Sequence, residues 1–303
     1  MSGSVQQTTT HNHGKDDEND AAWQWESPDP PAELTEEQNQ MLDVVIEEVR
    51  RSPLSSAVTH GGRSAIWRYL NAARWGTELS GKRVSSYFLE TLEWRKLLAI
   101  DRVLEDKEHA ASLLKEAATG KLFVRGTCLF HRPLIWLHLG RENNALDPVS
   151  NVRLLVYTVE RAIASMAPEA LGAKAKGQFC VVIDCTFAGA GPLPSLQFAQ
   201  QAVRMLMARY PSRLGKLFLV NPGVAVYFLW QAISLLLEPV TREKIVVVSG
   251  TREQQRELLL NYISPEDLRA GQLGCPEEPP FNAEAYLAGG DGEGMPPDGG
   301  RDA

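Results

Sequence analysis

Residues 216–237 read KLFLVNPGVAVYFLWQAISLLL, and between Lys216 and Glu238 no charge interrupts the chain for 21 positions. That length reaches the roughly 20 apolar residues that span a bilayer. Asn221-Pro222-Gly223 breaks the run in its first third, with an amide, a ring that lacks an N–H and a helix breaker. The spacing therefore predicts a strand over 217–221, a turn at 222–223 and a helix over 224–237, whose 14 residues are too few to cross. That helix has only Gln231 and Ser234 as polar residues, and they share one face. A helix apolar nearly all round is either fully buried or touches lipid. It is a core helix, or it covers an apolar cavity on one side and meets a membrane on the other. On the second reading Phe228, Leu229 and Trp230 give the outward side bulk to enter a headgroup layer.

Outward from this stretch, short β-rich runs alternate with helices. Strands are expected over 122–125, 133–139, 178–184, 216–221 and 244–249. The last three are nearly continuous apolar runs, the pattern of parallel strands covered on both faces. Helices are expected over 148–167 and 195–210 between them. Strands separated by helices argue an α/β layer with crossover connections. Residues 35–119 read as helices only. Thr35 to Gln38 is a capping-box pattern, and helices follow over 64–75 and 80–100, the latter with Val84, Phe88, Leu92 and Arg95 on one stripe.

The whole chain has 303 residues with 31 Lys/Arg against 38 Asp/Glu, a net charge of −7. Residues 1–33 and 276–303 each carry −6, so residues 34–275 carry +5. The acidity belongs to two tails and the body is mildly basic, which removes the reading of an acidic body repelled by anionic surfaces. The expected organisation is a disordered acidic tail (1–33), a helical lobe (34–119), an α/β lobe (120–275) and a Pro/Gly/acid-rich tail (276–303). Four cysteines are too few for a disulfide scaffold, and the first thirty residues lack the apolar run of a secretory signal. An intracellular, reducing setting is expected.

Catalytic motifs are missing. The sequence contains no G-x-S-x-G elbow, no Walker A loop and no G-x-G-x-x-G after a strand. His11 and His13 have no further ligands nearby, so no metal and no cofactor are expected. Cys180 and Cys185 are an odd number of residues apart along a strand, which points them to opposite faces. His131 and His138 read as structural, and Asp184, at a strand's C-terminal end, as a cap. Aromatic–basic interleaving of the kind that reads RNA is absent, so no nucleic-acid partner is expected. No enzymatic activity is expected.

Several segments together resemble the CRAL-TRIO lipid-binding family, of the phosphatidylinositol-transfer type. They are Ile66-Trp-Arg-Tyr-Leu-Asn-Ala-Ala-Arg74, Thr91-Leu-Glu-Trp-Arg95, Arg132-Pro133-Leu134-Ile135, Gly140-Arg-Glu-Asn143, Val181-Val-Ile-Asp184, Tyr210-Pro-Ser-Arg-Leu-Gly-Lys-Leu-Phe-Leu-Val-Asn221, Glu238-Pro-Val-Thr-Arg-Glu-Lys-Ile245 and Ala285-Tyr-Leu-Ala-Gly-Gly290. Their order and spacing, over roughly residues 62 to 290, carry the resemblance. It implies a small all-helical N-terminal lobe followed by a mostly parallel five-stranded sheet, with helices enclosing an apolar lipid pocket. The 224–237 helix becomes the gate over that pocket, with Val224, Phe228, Trp230, Ile233 and Leu237 lining or closing it.

The resemblance also implies a headgroup site. The family's Thr and Lys that contact phosphoinositol fall on Thr241 and Lys244, whose hydroxyl and ammonium suit a phosphodiester. The family's acidic residue before Y-P falls on Gln201, and its Arg in the early helix on Ala73, with Arg74 beside it. Gly189 and Gly191 stand where some members place small hydroxyls for phosphatidylcholine, so a site of that type is not implied. The expected function is a soluble, cytoplasmic lipid-binding and transfer protein in transient contact with membranes. Phosphatidylinositol is the first candidate ligand, and a lipid-modifying enzyme is a possible partner. The alternative is a non-transferring sensor or scaffold for a sterol, tocopherol or retinoid-like molecule.

Overall fold

The computed structural model describes residues 33–54, 62–105, 107, 110–142, 147–172, 174–186, 188, 193–270, 281–290 and 292. His11, His13, Gly189, Gly191, Asn143, Cys275 and most of both acidic tails lie outside the described residues.

The helical lobe is built from α1 (Glu36–Arg50), α2 (Gly62–Ala72) and α3 (Val84–Leu97). Thr35 caps α1 with both capping-box bonds formed, its hydroxyl accepting from the Gln38 N–H and its own N–H donating to the Gln38 side chain. Leu42, Val49, Ile66, Leu70, Phe88 and Leu92 are fully buried in one cluster. A two-residue antiparallel ladder, Glu78–Leu79 with Lys82–Arg83, joins α2 to α3, where the sequence reading saw helices alone. Gly81, with φ of 77°, turns it.

A five-stranded sheet follows: β1 (Leu122–Thr127), β2 (Pro133–His138), β3 (Phe179–Asp184), β4 (Leu214–Val220) and β5 (Ile245–Val248). The strands lie in sequence order, β1 and β2 antiparallel and the remaining neighbours parallel. Helix α4 (Ala110–Ala117) precedes β1, α5 (Pro148–Ala164) connects β2 to β3, α6 (Leu196–Arg209) connects β3 to β4, and α7 (Val224–Ser234) leads toward β5. Right-handed crossovers between sequential parallel strands place their helices on one face of the sheet. On the opposite face, Leu134, Trp136, Val182, Phe218 and Val220 are fully buried, and Phe218 packs against Tyr262 with ring centroids 5.0 Å apart.

Several element boundaries shift by a few residues from the sequence expectation, and two of the shifts have a visible cause. β4 starts at Leu214 because Gly215, which weakens a strand by pattern, packs under the Arg132 side chain, 2.8 Å from where a Cβ would stand. α7 stops at Ser234, three residues early. Ser234 Oγ donates to the Gln231 carbonyl at 2.8 Å, Leu236 and Leu237 form three-residue turns, and Pro239 then starts a separate one-turn helix, Pro239–Arg242. Residues 281–290, from the C-terminal segment, pack on the α/β lobe through α8 (Ala283–Leu287). There Tyr286 is fully buried and its hydroxyl accepts from Val124 N at 3.1 Å.

The two lobes are locked by buried polar contacts. Arg95 of α3 donates to both carboxylate oxygens of Glu160 on α5, at 2.7 and 3.2 Å, and Tyr210 Oη donates to Glu160 at 2.7 Å. Burial first, then the Glu160 charge, holds the Tyr210 phenol protonated. Around it, Tyr69 Oη donates to the Arg209 carbonyl (3.3 Å) and Asn71 Nδ2 to Ser212 Oγ (2.9 Å). Arg68 and Arg213 reach the carbonyls of Lys176 (3.1 Å) and Gly177 (2.8 Å). Gly177 has φ of 56°, and a Cβ there would fall 2.4 Å from the Arg68 guanidinium, so a side chain at this corner would strain the backbone and displace Arg68.

Candidate functional site

The face of the sheet that the crossover helices cover is not filled. A cavity of about 880 Å³ lies over it, near the top of the roughly 300–1,000 Å³ range of small-molecule sites. Alternate residues of the strands form its floor: Ile135 and Leu137, Val181 and Ile183, Leu217 and Leu219, and Ile245. The side-chain period of two sends the intervening residues to the packed core. The apolar runs thus do face two apolar surroundings, one of which is a hollow. Phe198, Ala202, Val203 and Leu206 of α6 form one wall.

The roof is α7. Val226, Leu229, Trp230 and Ile233 turn into the cavity, at steps of three, one and three residues. Leu236 and Leu237 continue the lining beyond the helix. Val226 is the buried residue of α7 and packs with Leu139, Cys185 and Leu219. The outward stripe is also apolar: Val224 is 75% exposed, Tyr227 46% and Phe228 69%, and beyond the helix Leu235 is 83% exposed. Among the pocket residues expected from sequence, Trp230, Ile233 and Leu237 therefore line the cavity, whereas Val224 and Phe228 lie on the outer side. Leu229 and Trp230, expected to supply outward bulk, point inward. The reason is the phase of the helix: Val226 must meet the Leu139–Leu219 cluster, which brings Trp230 under the roof with it.

At the N-terminal end of the parallel strands the lining turns polar. Thr241, Lys244, Arg74, Asn71, Ser80 and Ser212 open onto it. Thr241 sits on the one-turn helix Pro239–Arg242, and the Lys244 N–H donates to its carbonyl at 3.1 Å. Lys244 Nζ donates to the Leu214 carbonyl at 2.9 Å, and among the described residues no carboxylate lies within ion-pair distance of it. Burial, and then the nearby Arg132 and Lys176 charges, lower its pKa. Arg74 lies 3.6 Å from Glu238, across the end of the roof, in an exposed pair. Gln201 is exposed on α6 and does not line the cavity; the inward stripe of that helix runs through Phe198, Ala202 and Leu206 instead. Thr241, Lys244 and Arg74 are thus brought to one end of one cavity, and Gln201 is not.

At the C-terminal end of the same strands, Lys121, Glu142 and Asn151 also line the cavity, and sequence reading passed over them. Glu142 lies within the Gly140-Arg-Glu-Asn143 segment that carries part of the family resemblance, so a signal for it existed. Lys121, a single lysine ahead of an apolar strand, reads as surface. Beside this end, His138 Nδ1 stands 3.2 Å from Asp184 Oδ2, a pairing set by the β2–β3 register. Burial raises the Asp184 pKa, but hydrogen bonds from His138 and from the Thr186 hydroxyl and N–H outweigh it and bring the carboxyl to about 2. Asp184 is a cap, as its strand-end position suggests, and His138 is its second partner.

The CRAL/TRIO domain model matches residues 117–272, which contain the sheet, the roof, Thr241 and Lys244, but not Asn71, Arg74 and Ser80 of the helical lobe. A CRAL-TRIO domain-containing protein of Schizosaccharomyces pombe is 27% identical over 226 residues, covering 70% of this chain and 21% of that protein. Phosphatidylinositol transfer protein PDR17 of Saccharomyces cerevisiae is 27% identical over 218 residues, covering 69% of this chain and 56% of that one. The chain thus spans about a fifth and somewhat over half of these two relatives. Sec14 cytosolic factor of S. pombe is 23% identical over 224 residues, covering 70% of this chain and 76% of that one. The crystal structure of Sfh5 shares the fold, with a TM-score of 0.50 at 13% identity over 71% of this chain and 81% of that one. No helix among the described residues is long and apolar enough to cross a membrane. With the domain model matched over residues 117–272, more than half of its length, the chain belongs to the CRAL/TRIO domain family, which is a family of lipid-binding proteins.

Proposed function

We propose that the protein extracts one phospholipid from a membrane and transfers it, with phosphatidylinositol as the ligand. The observation that carries this reading is a single cavity with a polar end at Thr241 and Lys244 and a roof that is apolar on both faces. Acyl chains gain about 0.8 kcal/mol per methylene on leaving water, so a carrier must enclose them. A roof apolar inside and outside serves a closed, lipid-filled state and an open state docked on a bilayer. Lys244 is half-buried with its Nζ donating to the Leu214 carbonyl, and a phosphodiester would return the favourable charge environment that burial removes. Thr241 would add a hydrogen bond, and exposed Arg74 would face the headgroup from the helical lobe. The name of PDR17 supports phosphatidylinositol as the first lipid to try. Presentation of the held lipid to a lipid-modifying enzyme belongs to the same reading.

The test is transfer of phosphatidylinositol from donor to acceptor vesicles by the purified chain, with an organic extract of the protein analysed by mass spectrometry. The expected result is transfer, and a loss of about tenfold for Lys244→Ala, in line with one charge-assisted hydrogen bond. A wild-type protein that moves no phospholipid and holds none removes the reading. Unchanged transfer by a folded Lys244→Ala removes the headgroup assignment.

A further inference from the structure

The N-terminal edge of the parallel strands gathers positive charge. Four segments meet there: 128–133 leading into β2, 172–178 into β3, 212–216 into β4 and 241–244 into β5. Together they hold seven Lys/Arg against one carboxylate, Glu243, whereas all of residues 34–275 carry only +5. Arg132 ties the segments to one another. Its guanidinium donates to the carbonyls of Lys174 (3.0 Å) and Ala175 (3.2 Å), and its side chain packs on Gly215. It also lies over the Phe130 ring, 5.6 Å from the centroid. Lys244 feels the charges of Arg132 and Lys176. Lys174 and Lys176 are exposed, and so are two apolar side chains at the turn between β1 and β2, Leu129 (54%) and Phe130 (48%). Among the described residues no carboxylate lies within ion-pair distance of Arg132, Lys174, Lys176 or Lys244.

Like charges gathered on one edge repel one another, and an anion laid on them lowers that cost. The two exposed apolar side chains among the cations offer a place for aromatic rings, and a guanidinium that faces one ring can face another. The chain itself carries the complement. Residues 16–29, outside the described residues, read DDENDAAWQWESPD: six carboxylates, no Lys or Arg, and Trp23 and Trp25 between the acids. The reach suffices. Asn39 and Asp43 of α1 both meet Arg63 of α2, and Arg68, five residues or about 7.5 Å further along α2, donates to the Lys176 carbonyl. Trp25 and Asp20 stand eight and thirteen residues before Glu33, spans of up to roughly 26 and 43 Å. A segment on so short a tether faces the edge at a concentration on the order of 1 mM, which an untethered partner does not match. The other acidic segment fits less well. It leaves the fold at Gly292, against Phe281 and beside Gly120 at the far end of β1, and beyond that point it has three carboxylates, one arginine and no aromatic residue.

We propose that residues 16–29 dock on this basic edge of their own chain, with Trp23 and Trp25 against Leu129, Phe130 and Arg132 and the carboxylates on Lys174 and Lys176. The segment then forms an anionic cover over the edge at which Lys244 opens. Any other anionic surface must displace it to reach that edge. The inference concerns the outside of the protein and does not need the phospholipid reading.

The test is carbodiimide coupling of the full chain, which joins a carboxylate to a neighbouring lysine amine. It is run at low salt on an equal mixture of unlabelled and heavy-isotope-labelled protein and read by peptide mass spectrometry. The expected result is links from the 16–29 carboxylates to Lys174 and Lys176 within one copy, at about five times the yield at Lys96 and Lys115, which are also exposed. The preference should vanish near 1 M salt, where charges are screened within about 3 Å. Trp23→Ala combined with Trp25→Ala keeps every reactive group and is expected to lower the yield at Lys174 and Lys176 severalfold. Equal yields at the edge and control lysines, links that join a labelled to an unlabelled copy, a preference that survives high salt, or an unchanged yield in the double variant overturns the inference. No lipid is present in this measurement, so its failure and failure of the transfer reading are seen separately.

Discussion

Two regions border the same cavity and are built in opposite ways. The seam between the lobes buries a bidentate Arg95–Glu160 pair with Tyr210 as a third member, all closed off from solvent. The roof, α7, buries one residue of its eleven and exposes Val224 and Phe228. A buried charge network tolerates little displacement, because each partner moved away leaves another uncompensated. An apolar helix end costs little to shift if another apolar surface receives it. The difference teaches that the cavity has a fixed side and a movable side, distinguished by whether the contacts are directional.

Breaking the seam should produce the largest effect. Glu160→Ala removes the carboxylate to which buried Arg95 donates two hydrogen bonds and is expected to cost about 3–5 kcal/mol, read from the urea midpoint at constant slope. Replacing both partners, with Arg95→Met and Glu160→Leu, should recover most of that loss; a double variant as unstable as the single one would mean the seam is held by something else. Next comes the strand end under the roof. Asp184 has a folded pKa of about 2, below its ordinary value, so its contribution is fully present above the ordinary value and is lost as pH falls through about 2. Asp184→Asn should therefore cost about 2 kcal/mol near neutral pH, and the gap from wild type should close as pH falls from 4 towards 2 in an unfolding series.

The roof should respond the other way. Arg74→Ala removes an exposed pair with Glu238 and should change stability by less than about 1 kcal/mol. Phe228→Asp should change it by no more than about 0.5 kcal/mol, since the ring is mostly exposed, yet should abolish binding to vesicles in a flotation assay. A large loss of stability in Phe228→Asp would show that the outer stripe is covered in solution and that the contrast with the seam is false.

How far this could be read beforehand depends on the residue. The strand runs, the break at Asn221-Pro222-Gly223 and the Thr35 capping box are local, and their outcome follows from neighbours within a few positions. The inward side of α7 was not legible, since Val224, Tyr227 and Phe228 make as good an apolar stripe as Val226, Leu229 and Trp230. Nor could Gln201 be placed: which face of its helix meets the hollow is set by the packing that turns Phe198, Ala202 and Leu206 inward together. His138 and Asp184 are 46 residues apart, and Lys121 and Glu142 are 21 apart, so their pairing waits on strand register and loop closure.

By itself the sequence determined that a parallel sheet would have two apolar faces and that a long uncharged segment would form a strand and a helix too short for a membrane. Only the tertiary structure decided that one of those faces borders a hollow rather than packed side chains, which stripe of the roof looks into it, and that charges sit at both its ends. The hydrophobic effect counts apolar area removed from water and is indifferent to what covers it. Apolar pattern can therefore announce a covered face, but the partner on that face is chosen by the packing of the whole chain.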